Sequence, residues 1–485
     1  MHIFEDLVTW LYAHWVTVIV IFHISLSALT SLHVLLFKEN ERTSLAWIGL
    51  VILSPVIGSL FYWLFGINRI KRSAQKKHPP ALKKDFIQQD LNIKFHDTPK
   101  NWHSAIIAGH AIHPVNYLAG NSVEPLINGD MAYPAMIQSI DCAKLHIVLS
   151  SYIFDYDSLG RQFVDALAKA QQRGVIVNVL LDSIGIGYSW KKSDQALKKR
   201  GVTTAQFSPI TSLTNIRFIN LRNHRKTLCI DGEVAYIGGM NVSKNNIVKT
   251  AEYPIDDVHF KVKGPVIDQI SQVFIEDWFF ATEKLIKFPR YFQNNKADAN
   301  GDKTVVARII QDGPDEHHNK TRWTLINALV CAQSTVKIIT PYFVPDRTLM
   351  AALHTTAMRG VSIEIMVPQH SDIPFVDWTM AANYSRIIEH GIKIYKNKRP
   401  FDHSKIVIID DVWSFIGSSN WDARSLEFNF EINLECFDRE LNKKLTELFT
   451  LKKQNSIQIT EDIINAVPLY KKIRNNLFRL FSSYM

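Results

Sequence analysis

A nineteen-residue stretch of this chain occurs twice. NHRKTLCIDGEVAYIGGMN, beginning at Asn223, aligns without gaps on DHSKIVIIDDVWSFIGSSN, beginning at Asp402. The offset is 179 residues and seven positions are identical. They include His224 with His403, Lys226 with Lys405, Asp231 with Asp410 and Asn241 with Asn420. A looser repeat surrounds the blocks. DCAKLHIVLSSYIFD, from Asp141, parallels VCAQSTVKIITPYFVPD, from Val330. Each leads through a helical stretch to Arg-Gly-Val, at 173–175 and 359–361, and then to a second apolar strand, VIVNVLLD or VSIEIMVP. Strand, helix, glycine C-cap and strand make a βαβ unit. The repeat therefore predicts an α/β chain of two similar lobes, with mixed β-sheets flanked by helices.

Ahead of the repeat lie two runs without Asp, Glu, Lys or Arg, 31 residues from Leu7 to Phe37 and 26 from Thr43 to Asn68. About 20 apolar residues span a bilayer as a helix. Two transmembrane helices are expected, at about 9–37 and 44–66. Pro55 and Gly58 fall inside the second, where membrane helices tolerate them. The start MHIFED has no basic residue, and the first run is too long for the apolar part of a cleaved signal. His14, His23 and His33 are read as interfacial or interhelical polar groups. Arg69, Lys71, Arg72, Lys76, Lys77, Lys83 and Lys84 follow the second run. That charge places the rest of the chain on the cytoplasmic side, as a multi-pass protein. The expected organisation is 1–68 for the membrane helices, 69–110 for a basic membrane-proximal linker, 111–292 for the first lobe, 293–303 for a linker and 304–485 for the second lobe.

The chain has 485 residues and a net charge of +9, which favours anionic partners, nucleic acid or anionic lipid. The four cysteines, Cys142, Cys229, Cys331 and Cys436, show no metal or disulfide spacing. No cofactor or metal is expected.

Each repeated block reads as a strand, a tight turn and a second strand, with Asp231-Gly232 as a turn pair. Residues two apart in a strand share a face, so His and Lys of each HxK should project together. The glycine and Asn at the far end of each block, Asn241 and Asn420, should add donor amides. Two imidazoles facing one anion suit a phosphodiester. One can attack phosphorus and become a phosphohistidine. The other can protonate the leaving alkoxide and then deprotonate the acceptor. The two lysines and two asparagines would stabilise the charge on phosphate oxygens. Asp231 and Asp410 complete the motif and stand among the candidate catalytic residues, but read better as turn or strand-end anchors.

HxKxxxxD occurring twice, each time followed by a Gly and an Asn, resembles the phospholipase D superfamily. RNHRK, IDG, GGMN, ITPYFVPD, RGV and SSNWDARSLEFNFEIN resemble its bacterial cardiolipin synthases, and LAWIGLVILSPVIGSLFYWLFGINR resembles their second membrane segment. The resemblance covers essentially the whole chain. It implies two phospholipase D-like lobes in a bacterial inner-membrane enzyme. It also implies the reaction, two phosphatidylglycerols giving cardiolipin and glycerol. The first-motif histidine of such relatives is the nucleophile, which would be His224, with His403 as acid and base. An acidic residue beyond each motif would support the histidine of the opposite half, at positions matching Asp257 and Glu431. Relatives carry Trp-Arg before that Asp; here Ile255-Asp256 stands there, leaving Asp256 and Asp257 as alternatives. His259 keeps the pattern.

The C-terminus, PLYKKIRNNLFRLFSSYM, places Ile473, Leu477, Phe478 and Phe481 on one helical face, with Lys471, Lys472, Arg474 and Arg479 elsewhere. An amphipathic helix on anionic lipid is expected. Phosphatidylglycerol is the expected substrate and nucleic acid is not an expected partner. Oligomeric state is not legible. A hydrolase with water as acceptor, a transfer to another glycerophospholipid or alcohol, and more remotely a nuclease remain open from the motifs alone.

Overall fold

A computed structural model describes residues 2–38, 41–66, 98–188, 192–208, 221–286, 304–314 and 319–482. The chain forms two compact units, 1–73 and 74–485. The basic residues at 69–84 and the expected linker 293–303 lie outside the described residues.

In the first unit a helix runs His2–Phe37, kinked at His14. Its segment Ala13–Phe37 is long and apolar enough to cross a membrane. Ile24, Leu29, Leu35 and Leu36 are each 65–66% exposed, as a lipid-facing surface requires. The second apolar run differs from expectation. It is divided into helices Glu41–Leu53 and Pro55–Phe61 and a π-helical turn Tyr62–Gly66. Proline at 55 has no N–H to donate and pushes its predecessor out of the helical region; Ser54 sits at φ −143°, ψ 79°. The only described helix of membrane-crossing length is thus the first. His33 Nδ1 meets Tyr62 Oη at 2.7 Å, and Trp63 Nε1 donates to Thr30 Oγ1 at 3.3 Å.

The second unit is built on one sheet of sixteen described strands. The first half contributes, from the edge inward, Thr203–Phe207, Ile176–Asp182, His146–Ser151, Thr227–Ile230, Val234–Gly238, Val258–Lys263 and Leu118–Ile127. The second half mirrors that order: Val305–Asp312, Asn429–Phe437, Trp413–Gly417, Ile406–Ile409, Thr335–Ile339, Ser362–Pro368 and Lys393–Asn397, with Ser456–Gln458 added at the edge. The three strands of each βαβ region are parallel and the central ones antiparallel. The expected lobes are therefore not separate sheets. Leu118–Ile127 pairs antiparallel with Val305–Asp312, so two edges that would otherwise leave unpaired N–H and C=O groups close on each other.

The apolar faces are covered by helices, including Ser158–Gln172, with Phe163, Val164 and Leu167 buried, and Arg347–Met358, with Leu349 and Leu353 buried. Both begin at an aspartate N-cap, Asp157 and Asp346, as the βαβ pattern requires. Part of the expected linker is also core. The helix Asn101–Ile112 buries Trp102, Ala105 and Ile106 at helical spacing, and Trp102 stacks on Trp413 at 5.9 Å. A buried cluster pins it. Arg308 donates to Glu435 at 2.6 Å and to the carbonyls of Gly109 and His113.

The C-terminal helix Leu469–Arg479 packs one edge against the helix Pro374–Ile387. Phe478 meets the Trp378 ring at 4.7 Å and Arg474 lies over it at 4.3 Å. Of the four residues expected on one face, Phe478 docks because Trp378 offers an apolar partner. Ile473, Leu477 and Phe481 remain exposed.

Candidate active site

Each repeated histidine stands where the chain leaves one strand and enters another. Arg222–Asn223 pairs in parallel with Asn429–Phe430 of the other half, and Phe401–Asp402 pairs in parallel with Ile255–Asp256. The main-chain N–H of His224 then donates to Phe430 O at 2.9 Å, and that of His403 to Asp256 O at 2.7 Å. The segment that carries each carboxylate thus holds the opposite histidine: Glu431 lies within the strand Asn429–Phe437, and Asp257 directly follows Ile255–Asp256.

The HxK segments differ from the expected strands: residues 224–226 and 403–405 are irregular. The residue before each histidine causes the turn. Asn223 Oδ1 accepts from Arg225 N, and Asp402 Oδ1 accepts from Ser404 N, both at 3.1 Å. This is the local bond by which Asn and Asp redirect a backbone. Each lysine folds back on its own motif, with Lys226 Nζ 2.8 Å from His224 O and Lys405 Nζ 2.5 Å from His403 O.

His224 Nδ1 lies 3.0 Å from Glu431 Oε1, and His403 Nδ1 lies 2.8 Å from Asp257 Oδ2. Both carboxylates are fully buried, while the imidazoles keep 12% and 13% exposure. A carboxylate accepting from Nδ1–H fixes the tautomer and leaves Nε2 as the exposed nitrogen. Of the two alternatives, Asp257 is the one against His403. Asp256 instead accepts from Lys452 at 2.5 Å, as does Asp402 at 2.7 Å.

Each carboxylate has its own support. Ser418 Oγ donates to Glu431 Oε2 at 2.5 Å and Asn429 Nδ2 donates to Oε1 at 3.2 Å. Asp257 Oδ1 accepts its neighbour's Val258 N–H at 2.8 Å. A Cβ on Gly239 would stand 2.9 Å from both Asp257 oxygens, so this approach requires glycine.

Burial holds the His224 imidazole well below its ordinary pKa, and Lys226, Lys405 and Arg424 push the same way. Burial, Lys405 and Lys226 do likewise to His403, where Asp372 pulls back. Glu431 and Asp257 are each raised to about 7 by burial, against the pull of the lysines. Lys405 falls to about 8, and Lys226 well below its usual value. The charges of both lysines act on both histidines, so the two motifs form one site. A neutral Nε2 with nearby cations can attack an anionic phosphorus centre.

The remaining predicted residues make their hydrogen bonds to groups other than the imidazoles. Asn241 Oδ1 accepts from Ile153 N at 3.1 Å. Asn420 is buried in a small enclosure that Lys405 also lines, and its Oδ1 accepts no hydrogen bond among the described residues. Asp231 accepts from the N–H groups of Lys144, Leu145 and His146, and Asp410 from those of Gln333, Ser334 and Thr335. Both carboxylates anchor the start of a neighbouring strand at the far end from the histidine. Two central turn residues in each hairpin have φ near +50° to +65°: Asp231 and Gly232, then Asp410 and Asp411. Sequence reasoning missed Ser418, Asn429, Gly239, Lys452 and the tyrosine Tyr152, whose ring stands 5.1 Å from His224. The Asn or Asp preceding both histidines was a visible signal.

Residues 136–278 and 325–452 match the family described as "Cardiolipin synthase, PLD-like domain", and residues 15–66 match the one described as "Phospholipase_D-nuclease N-terminal". The chain is 30% identical over 463 residues to "Cardiolipin synthase" of Alkalihalophilus pseudofirmus, covering 93% of this chain and 90% of that one. It is 29% identical over 468 residues to "Cardiolipin synthase 1" of Bacillus anthracis, covering 92% and 90%. In three dimensions it resembles the phosphatidylserine synthase of Haemophilus influenzae, with a TM-score of 0.60, 15% identity, and coverage of 79% of this chain and 100% of that one. That last likeness is one of fold.

Proposed function

We propose that this chain, which belongs to the phospholipase D-like cardiolipin synthase family, joins two phosphatidylglycerols into cardiolipin and glycerol through a phosphohistidine on His224. The observation that carries the reading is the crossed pair of buried carboxylates. Each fixes the imidazole of the other half, within reach of both lysine charges.

In the first step Nε2 of His224 attacks phosphorus and the P–O bond to the glycerol head group breaks. His403, carrying a proton on Nε2 once the bound phosphate offsets the lysine charges, gives that proton to the departing oxygen. Glycerol leaves, and a phosphatidyl group remains on His224. In the second step His403 takes the proton from a head-group hydroxyl of a second phosphatidylglycerol. That oxygen attacks phosphorus, the P–N bond breaks and His224 is restored. Lys226 and Lys405, with the Asn241 and Asn420 amides, stabilise the phosphate oxygens while charge builds on them. The uneven field supports this division of roles. Arg424 lowers the proton affinity of His224, whereas Asp372 raises that of His403.

The same reading covers the membrane. The segment 44–66 crosses back through the bilayer, the catalytic unit faces the cytoplasm of a bacterial cell, and the helix Leu469–Arg479, with Phe481 just beyond it, rests its exposed Ile473, Leu477 and Phe481 on anionic lipid. A Glu41→Cys variant labelled in whole cells by an impermeant maleimide supports this topology; labelling only after lysis overturns it.

The test of the reaction is the product of purified protein in liposomes given labelled phosphatidylglycerol. Cardiolipin with an equivalent of free glycerol is expected. Phosphatidic acid alone would leave a hydrolase.

A further inference from the structure

The two-histidine chemistry leaves an acidic group near the site unused. Asp372 lies in the loop after strand Ser362–Pro368 and is exposed to solvent. It is nevertheless held in place. Tyr342 Oη donates to its Oδ1 at 2.6 Å and Ser371 Oγ donates to the same oxygen at 3.1 Å. Its Oδ2 has no hydrogen bond among the described residues. Tyr342 follows strand Thr335–Ile339, as Tyr152 follows His146–Ser151 in the other half. Burial and the charges of Asp372 and Asp422 keep its phenol protonated, so it is a permanent donor. The Tyr342 carbonyl accepts from Trp421 N at 3.2 Å, and Trp421 lines the same enclosure as Asn420 and Lys405, so the Tyr342–Asp372 pair borders the site; the Asp372 charge acts on both His403 and Lys405.

A carboxylate beside a site for phosphodiesters works against the phosphate, whose charge calls for cations such as Lys226 and Lys405. It suits a neutral hydroxyl donor. It is also one-sided. The corresponding loop of the first half, after strand Ile176–Asp182, reads SIGIG from Ser183 and offers no acid there. The carboxylate that ends that strand, Asp182, is buried and accepts from Asn223, Ile184 and Gly185 N–H groups. The acid thus accompanies only His403, the histidine proposed to handle the alcohol.

We propose that Asp372, fixed by Tyr342, is a specificity residue that accepts a hydrogen bond from a second hydroxyl of the alcohol, selecting polyol head groups over water and simple alcohols. The proposal rests on the reading of His403 as acid and base. The leaving glycerol and the head group of the acceptor lipid use the same carboxylate, because the second step retraces the first. Water has no second hydroxyl to offer, so Asp372 favours transfer over hydrolysis.

The test uses full-length protein in mixed micelles and phosphatidyl-p-nitrophenol as donor, whose leaving group carries no second hydroxyl. The nitrophenolate burst counts working sites in each variant. The phosphatidyl-enzyme is then offered phosphatidylglycerol, glycerol or propan-1-ol in competition with water. For Asp372→Ala the ratio of cardiolipin to phosphatidic acid per burst should fall about tenfold, the scale of one charged hydrogen bond. The preference for glycerol over propan-1-ol should fall with it. Asp372→Asn, which keeps an acceptor oxygen, should lose less, and Tyr342→Phe should lie between. An unchanged product ratio with a full burst in Asp372→Ala overturns the proposal. So does a wild-type enzyme that treats glycerol and propan-1-ol alike. Absence of a burst in the wild type would instead overturn the covalent reading on which the proposal rests.

Discussion

The two halves share a backbone plan and differ in where they keep their charges. Each places Asn or Asp before the histidine, pairs that segment with the other half, and runs a long helix behind it. In the first half the cation sits on the motif. Arg225 pairs with Asp277 of helix Val266–Thr282 and also donates to the carbonyls of Glu431 and Asp312. In the second half the arrangement is reversed. The motif and its partner strand supply acids, Asp402 and Asp256, and the cation is Lys452 of helix Arg439–Gln454. Position 239 is a bare glycine against Asp257, whereas position 418 is a serine that donates to Glu431. Geometry is common to the halves while the side chains enforcing it are not. The histidine orientation is therefore what the fold constrains, and any charge pattern that satisfies it serves.

In the proposed reaction the deepest break in the symmetry is between the histidines themselves. His224→Ala should abolish turnover and leave no phosphatidyl adduct. His403→Ala should lose about 10²–10⁴ in rate, the range for a missing general acid–base, yet still trap an adduct. Labelled donor lipid followed by acid-free gel separation distinguishes them. A lasting adduct on His403 would exchange the two roles.

Next come the reversed ion pairs. Removing one partner of a buried pair typically costs about 3–5 kcal/mol. Lys452→Met strands two acids and Asp277→Leu strands one guanidinium, so each should lower the denaturation midpoint strongly. Asp402→Asn with Asp256→Asn should restore much of the Lys452→Met loss, because no buried anion then lacks its cation. Failure of that rescue would mean Lys452 matters for packing, not charge. Smaller effects are expected around the carboxylates. Gly239→Ala drives a methyl against both Asp257 oxygens and should cost about 10²-fold in kcat, as displaced catalytic groups do. Ser418→Ala removes one hydrogen bond to Glu431 and should cost about tenfold. Equal losses at the two positions would show that the halves hold their carboxylates with equal tolerance.

These same residues mark what could be read from the sequence. The repeat was visible because His, Lys, Asp, Gly and Asn recur at one offset, and the βαβ units because Arg-Gly-Val ends both helices. The identity of the crossed acids came through family resemblance, since nothing local ties Asp257 to His403, 146 residues away. Lys452 reads as surface charge in RELNKKLTELFTLKKQ, and only the fold brings it to Asp256, 196 residues earlier. Alternation alone predicts strand across the HxK segments, but the Asn or Asp before each histidine turns the chain. Length alone makes the second apolar run one helix, but Pro55 divides it. Trp102 reads as part of a linker because its partner, Trp413, lies in the last third of the chain.

The mildest test concerns Lys405. Its pKa falls to about 8 from the ordinary lysine range because burial disfavours the charged form more than Asp257 and Glu431 restore it. Below that value the group is protonated and can hold a phosphate; above it the free enzyme loses the cation. For free enzyme, kcat/KM should therefore be halved near pH 8 and decline further as pH rises. On the acid side, Glu431 and Asp257 gain protons below about 7 and stop accepting from Nδ1–H, so activity should fall there too. The two limbs leave a narrow optimum between about 7 and 8. Arginine stays charged across this range, so Lys405→Arg should carry the alkaline limb upward while leaving the acid limb in place. A limb that stays at pH 8 in Lys405→Arg would assign it to another group and remove the second-half lysine from the pH profile.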